Sequence, residues 1–303
     1  MRLSIVRVVI GGLIFAGALT ACEDATSSGD GGVPVVATTT QVGSIAAELG
    51  GDAIDLTVLL KPGIEAHDFE ITPAAGAAIE RATLILKSGA GLETWLDDAI
   101  ETIGGGDRVR DLSEGADLRT SEDGEVDPHY WMSAPNAIVM VENARDALVE
   151  AAPAAADAIG ERADALIGRL EEADRETRAL IDEIPADRRE VVTDHDALGY
   201  FLDAYGLEFL GSVFPSLDVS ADPSARDIED LVDLIRDNDV DVIFAESGVN
   251  PQLAEAVAAE TGATISDDPI YADSLGPPGS GADTLDGMLL HNARVLHDGL
   301  VGT

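Results

Sequence analysis

The sequence predicts an α/β protein: two doubly wound domains with parallel sheets, joined by one long bracing α-helix. Two observations carry that expectation. β-branched runs bounded by glycine alternate with helical patterns on both sides of the middle of the chain, which is the mark of strand–helix–strand units and parallel pairing. Between these halves runs one uninterrupted helical pattern, bracketed by Pro153 and Pro185. The expected boundaries are 34–152 for the first domain, 153–185 for the linking helix and 186–303 for the second, sizes ordinary for single domains.

Ahead of the domains, Arg2 and Arg7 lead into an apolar run, Val8 to Ala21, that ends in "LTAC". These 14 residues (8 to 21) are too few to span a hydrocarbon core, which takes roughly 20 in a helix, so residues 1–21 read as a secretory signal. Cys22 is the only cysteine in the chain and cannot form an internal disulfide. Its setting resembles the lipobox of bacterial lipoproteins, which implies lipidation at Cys22, a polar linker over 22–33, and an exported protein anchored on the extracytoplasmic face of a bacterial cell membrane. More than one acyl chain gives the lasting attachment that a single chain cannot.

The first domain then reads as strand "VPVVATTT" and helix "VGSIAAELGG", strand "AIDLTVLL" and helix "TPAAGAAIERA", strand "TLILKSG" and helix "LETWLDDAIET". In the linking segment Ile159, Ala163, Leu166, Leu170, Ala173, Thr177, Leu180 and Ile184 step by threes and fours along one face, with charged residues on the others. At 1.5 Å per residue it would reach roughly 45 Å, a stiff brace that limits hinge closure between the domains. The second domain repeats the alternation with "REVVTD", "ALGYFLDAYG", "LEFLGSVF", "SARDIEDLVDLIRDN", "DVDVIFAE", "NPQLAEAVAAETG", "ATIS" and a closing helix "TLDGMLLHNARVLHDGL".

The formal net charge is −40, from 58 Asp and Glu against 18 Lys and Arg, and loss of Arg2 and Arg7 with the signal makes it −42 (−40 less two cations). That sign makes nucleic acid and anionic membrane surfaces poor partners. The diffuse charge reads as solubility and identifies no site.

Four stretches place a good metal ligand where a strand gives way to a loop: "PGIEAHDFEITP" with His67, "VDPHYWMS" with His129, "VVTDHDALGYF" with His195 and "YADSLGPPGSGAD" with Asp273. Their separations are 62 residues (67 to 129), 66 (129 to 195) and 78 (195 to 273), so no local metal motif joins them. Only the fold can assemble them, in a cleft between two domains whose strand ends face each other. Each histidine taken alone is more often structural than ligating; the set is what points to a metal. Three imidazoles and one carboxylate suit a tetrahedral, borderline-soft ion such as zinc, and ligand type alone admits copper too. Four protein ligands leave no open position for an activated water, which favours carrying a metal over catalysis with it. Asp68, Asp194 and Asp196 flank the histidines, and Glu246 ends a predicted strand; Glu246 and Asp194 are the candidates for orienting the ligand rings. Trp95, Tyr130 and Trp131 read as core or cleft wall, and His291 and His297 as ordinary residues of the last helix.

Taken in order along nearly the whole chain, the lipobox, "LLKPGIEAHDFEITP", "DPHYWMSAPNA", the bracing helix, "VVTDHDALGYFLDAYGL", "VIFAESGVNP" and "DSLG" resemble the zinc/manganese ABC-transporter substrate-binding lipoproteins. The resemblance implies His67, His129, His195 and Asp273 as the metal ligands, with Ala66 standing where the family usually has proline. Asp267 and Asp268 lie close enough to compete with Asp273 for the fourth place. A histidine at 195, where manganese-type members tend to have glutamate, leans towards zinc. The implied protein is not an enzyme but a monomeric receptor that delivers Zn²⁺, as transported ligand, to the membrane permease of an ABC importer, with a metallochaperone among the partners such receptors have. Its alternatives are a manganese or mixed-metal receptor, then a metallohydrolase with Glu246 as base, and a surface adhesin.

Overall fold

The apolar run that starts at Val33 pairs in two directions at once. In the computed structural model, which describes residues 31–64, 66–67, 69–121, 124–217 and 222–302, β1 (Val33–Ala37) lies between β2 (Ile54–Val58) and β3 (Leu84–Lys87), with β4 (Val109–Asp111) at the edge. All pairs are parallel. Helices α1 (Thr40–Gly50), α2 (Pro73–Arg81) and α3 (Thr94–Ile103) make the connections. Their starts are written locally: the Thr39 side chain accepts from the Val42 N–H, and Thr72 accepts from Ala75 N–H just ahead of a proline at the first helical position. The three-residue β4 escapes the sequence reading, because "VRD" is too short and too charged to carry a strand signal.

The second half repeats the scheme. β5 (Glu190–His195) sits between β6 (Glu208–Phe214) and β7 (Val242–Phe244), with β8 (Thr264–Ile265) outermost, again all parallel. Helices α6 (Gly199–Tyr205), α7 (Ala225–Asp237) and α8 (Gln252–Thr261) connect them, α7 beginning in a capping box between Ser224 and Asp227. Two parallel four-stranded sheets with flanking helices are the fold class the sequence predicts. The expected signal at 1–21, the lipidation expected at Cys22 and Asp68 all fall outside the described residues.

Three helices join the halves: α4 (Ala134–Ala151), α5 (Ala156–Asp182) and α9 (Leu285–Val301). The 27-residue α5 is about 40 Å long and packs against α4, α1 and α9, so it touches elements from both ends of the chain. Pro153–Ala155 forms a 3₁₀ turn ahead of it. Its buried face follows the expected steps from Ile159 to Thr177, then takes Ile181, with Leu180 half-buried, because the fourth residue on from Thr177 continues the stripe. One apolar core runs through both halves, from Val35, Leu49 and Leu86 across Leu166 and Leu170 to Phe201, Phe244 and Leu289. Smaller clusters cover the outer sheet faces, around Ile79, Ile85 and Leu96 in the first half and Val192, Leu231 and Ile243 in the second. At the surface Arg169 of α5 donates to both Glu48 carboxylate oxygens and to Asp286 of α9.

Because Leu170 is fully buried where the shared core crosses α5, Leu170→Ala is expected to cost about 2–5 kcal/mol. Denaturant unfolding of the metal-free protein, followed by circular dichroism, measures this.

Candidate metal centre

Loops at the carboxyl ends of parallel strands collect where the strand order reverses. In the second sheet that reversal falls between β5 and β7, and His195 is the last residue of β5 while Glu246 follows β7. His67 comes from the loop after β2, His129 from the turn before α4, and Asp273 from the segment after β8. One ligand atom from each of these four lies within 4.8 Å of the others. His129, His195 and Asp273 are buried, and His67 is the most exposed at 14 % of its side chain, which makes it the solvent side of the cluster. Asp267 and Asp268 are exposed and line a separate hollow with His291 and Arg294, so the structure brings Asp273, and not its two neighbours, to the histidines.

The ring atoms converge as donors to a common point. His67 Nε2 and His129 Nε2 face each other at 3.4 Å, and Asp273 Oδ1 lies 3.1 Å from His129 Nε2 and 3.9 Å from His67 Nε2. Asp273 Oδ2 lies 3.8 Å from His195 Nδ1. Neither oxygen of this buried carboxylate has a hydrogen-bond partner of good geometry. A buried anion left this way is costly unless positive charge compensates it.

The surrounding groups hold the ligands in place. Asp127 Oδ1 faces His129 Nδ1 at 2.8 Å and also accepts from the His129 backbone N–H. Glu246 links two ligands: Oε2 stands 3.2 Å from His195 Nδ1, while Oε1 accepts from the N–H of Ala272 and of Asp273. Asp194 accepts from the Glu246 N–H, so it acts one step further out than its neighbour His195. Trp131 Nε1 and Gln41 Nε2 both donate to the Ala272 carbonyl, and the Gly63 N–H donates to Ser274 Oγ, which ties the His67 loop to the Asp273 segment. Trp95 Nε1 donates to the carbonyl of Ala66, next to His67. Trp95 and Trp131 therefore position the loops as well as wall the cleft. Asp127 is a partner the sequence reading missed; its signal was in plain view, a carboxylate two residues before a candidate ligand in "DPH".

The region of "VDPHYWMS" also differs from a plain strand end. A short antiparallel bridge joins Thr120 to Val126, and a 3₁₀ turn, Tyr130–Met132, follows His129 directly. His291 and His297 stay away from the site, bonded to the Pro269 carbonyl and to Asp298.

Both ring nitrogens of His129 face carboxylate oxygens, and those of His195 face Glu246 and the Leu217 carbonyl. Rings flanked by acceptors on both sides hold two protons. Burial alone would lower the His129 pKa, but Asp127 and Asp273 outweigh it and raise it from 6.5 to about 9. His195 is likewise raised well above its ordinary value: Glu246 and Asp273 overcome the effect of burial. Burial acts on Asp273 in the opposite sense, yet the three histidines hold its carboxyl far below the usual range. Asp194 is pushed up to about 7 by burial and then by Glu246. Without a metal, protons on the imidazoles balance the Asp273 charge.

Comparison with known proteins places these features in a family. Residues 35–299 match the family described as "Zinc-uptake complex component A periplasmic". The manganese-binding lipoprotein MntA of Bacillus subtilis is 31% identical over 289 residues, 92% of this chain and 94% of that protein. The iron-binding protein YfeA of Yersinia pestis is 32% identical over 244 residues, covering 80% and 78% of the two chains. Among solved structures, the periplasmic zinc-binding protein TroA of Treponema pallidum superposes with a TM-score of 0.84 at 27% identity, over 89% of this chain and 99% of that one.

A histidine whose pKa is higher folded than unfolded stabilises the fold fully below the unfolded value and loses that contribution as pH rises through the folded one. The metal-free protein is therefore expected to lose up to about 3 kcal/mol between pH 6.5 and 9 on account of His129. Titration of Asp194 through about 7 acts in the same direction. Urea unfolding of chelator-treated protein across that range measures the loss, and in His129→Gln its histidine component should vanish.

Proposed function

The chain belongs to the zinc-uptake complex component A family, and from that premise we propose that it captures Zn²⁺ between its two halves through His67, His129, His195 and Asp273. It is a metal-binding substrate receptor of ABC import, a solute-binding protein and not an enzyme. Such a receptor works with a membrane permease and its ATPase. Lipidation at Cys22 would hold it at the outer face of the membrane beside that permease, consistent with relatives named as lipoproteins; among the described residues no helix is long and apolar enough to cross a membrane.

The observation that carries the reading is the convergence of three imidazoles on a buried carboxylate whose oxygens have no hydrogen-bond partner of good geometry. A buried anion ringed by bases that can give up their protons suits a cation. Relatives and structural neighbours are named for manganese, iron and zinc, so membership of the family does not choose the ion. The donor set favours zinc: nitrogen donors suit a borderline-soft ion, whereas manganese prefers more oxygen. Three imidazoles with one carboxylate complete a tetrahedral shell.

The binding step follows from the protonation of the free site. An incoming ion takes ring nitrogens that carry protons, so capture releases protons and tightens as pH rises towards about 9, where His129 becomes neutral without help. The brace of α5 and the continuous core oppose hinge opening, so entry and release would fall to the loops, with the more exposed His67 side the nearest route.

Competition on metal-stripped protein tests the choice of ion. Zn²⁺ is expected to displace Mn²⁺ at equal concentration, and His195→Glu, which trades a nitrogen donor for oxygen, should narrow that preference by at least about tenfold. A wild-type protein that prefers Mn²⁺ would contradict the zinc assignment.

A further inference from the structure

Arg119 holds a position that the ligand set alone does not explain. Its Nη1 donates to Asp127 Oδ2 at 3.3 Å, and the other oxygen of that carboxylate holds the His129 ring. Its Nε pairs with Asp203 of α6 at 2.9 Å, and its guanidinium lies 5.4 Å from the ring centre of Tyr200, also on α6. The Tyr200 hydroxyl accepts from the Arg119 backbone N–H and donates to the Asp127 carbonyl. Two segments of the first half, Arg119 and Asp127, are thus stitched to the first turns of a helix in the second.

The seat for this arginine is built by an absence. Gly199 opens α6, and a Cβ placed there would overlap Arg119 Nη1 and come within 2.6 Å of Cζ. Any side chain at 199 would expel the guanidinium from the notch. Asp127 is buried, with 3 % of its side chain exposed, so its charge needs a cation more than a surface carboxylate does. The exposed Asp203 pair contributes little alone.

We infer that Arg119 is a positioning residue through which the seating of α6 sets the orientation of the ligand His129. With Arg119 in the Gly199 notch, Asp127 is held by one oxygen against the guanidinium and by the other against the imidazole Nδ1. If the start of α6 unseats, Arg119 leaves Asp127, and the carboxylate that fixes the orientation of the ring loses the cation that anchors it. Unseating of α6 and loosening of one metal ligand become the same event, although no ligand lies on α6. This inference rests on the metal-receptor reading and adds to it a determinant of release.

Stopped-flow release of Zn²⁺ into excess chelator tests it, using the full mature chain. Arg119→Gln and Gly199→Ala, which act from opposite halves, are each expected to speed release about tenfold or more, and the double variant should be no faster than the faster single one, because both remove the same contact. Circular dichroism of each metal-free variant checks that it is folded. Tyr200→Phe removes only the bridging hydroxyl; it should also speed release, and it carries the test if either of the others fails to fold. A purely structural Arg119 would lower the melting temperature and leave release unchanged, and that result, or effects of the two variants that multiply, overturns the inference. A wild-type protein that takes up no Zn²⁺ would instead overturn the receptor reading beneath it.

Discussion

The Asp273 carboxylate governs the site: it is buried, neither oxygen has a donor of good geometry, and its charge must be balanced by something cationic. Protons on His129 and His195 do this when no metal is present, and a divalent ion would do it by displacing the proton from one nitrogen of each ring. The same electrostatic demand explains why Glu246 spans the Asp273 backbone and the His195 ring, and why Asp127 backs His129. These carboxylates make the imidazoles better bases and, at neutral pH, harder to strip of protons. Affinity and pH sensitivity then arise from one arrangement.

The frame that holds those donors is asymmetric. In the second sheet the point of strand reversal carries a ligand, His195, and its partner Glu246. In the first sheet the equivalent point between β1 and β3 is filled by a buried polar network: Glu93 accepts from Thr38 Oγ1 and from the N–H of Ser88 and Gly89, Thr39 meets Ser88, and Tyr130 donates to the Ser88 carbonyl. Its ligands come instead from longer loops that reach over the plugged crevice, held by Trp95, Gly63 and the 3₁₀ turn after His129. A shared apolar core and the brace of α5 fix the two frames against each other, which leaves loops and helix ends to do the moving.

Much of this was legible in the sequence, for identifiable reasons. Period-two and period-3.6 patterns gave the alternating elements and the brace, because both signals are local. His67, His129, His195 and Asp273 stood out as good ligands in segments expected to follow strands, although of the four only His195 closes a strand and the others lie in longer loops. Asp194 was visible as a neighbour of His195, and Glu246 as the residue just past a buried strand. Arg119 was not: its partners lie 8, 81 and 84 positions away (Asp127, Tyr200 and Asp203), and nothing local distinguishes it from a surface arginine. The three-residue β4 and the hairpin bridge at Thr120 and Val126 were too short to carry a pattern. The identity of the ion is only half legible there: donor types lean towards zinc, while donor distances belong to the fold.

The central claim is that one ion is held by all four residues together. An anomalous difference map at the zinc absorption edge, from crystals of the mature protein loaded with Zn²⁺, tests it most directly. A single strong peak is expected about 2.0–2.2 Å from a ring nitrogen of each of His67, His129 and His195 and from a carboxylate oxygen of Asp273. A peak that lacks any one of the four, or that lies away from the cleft, would contradict it.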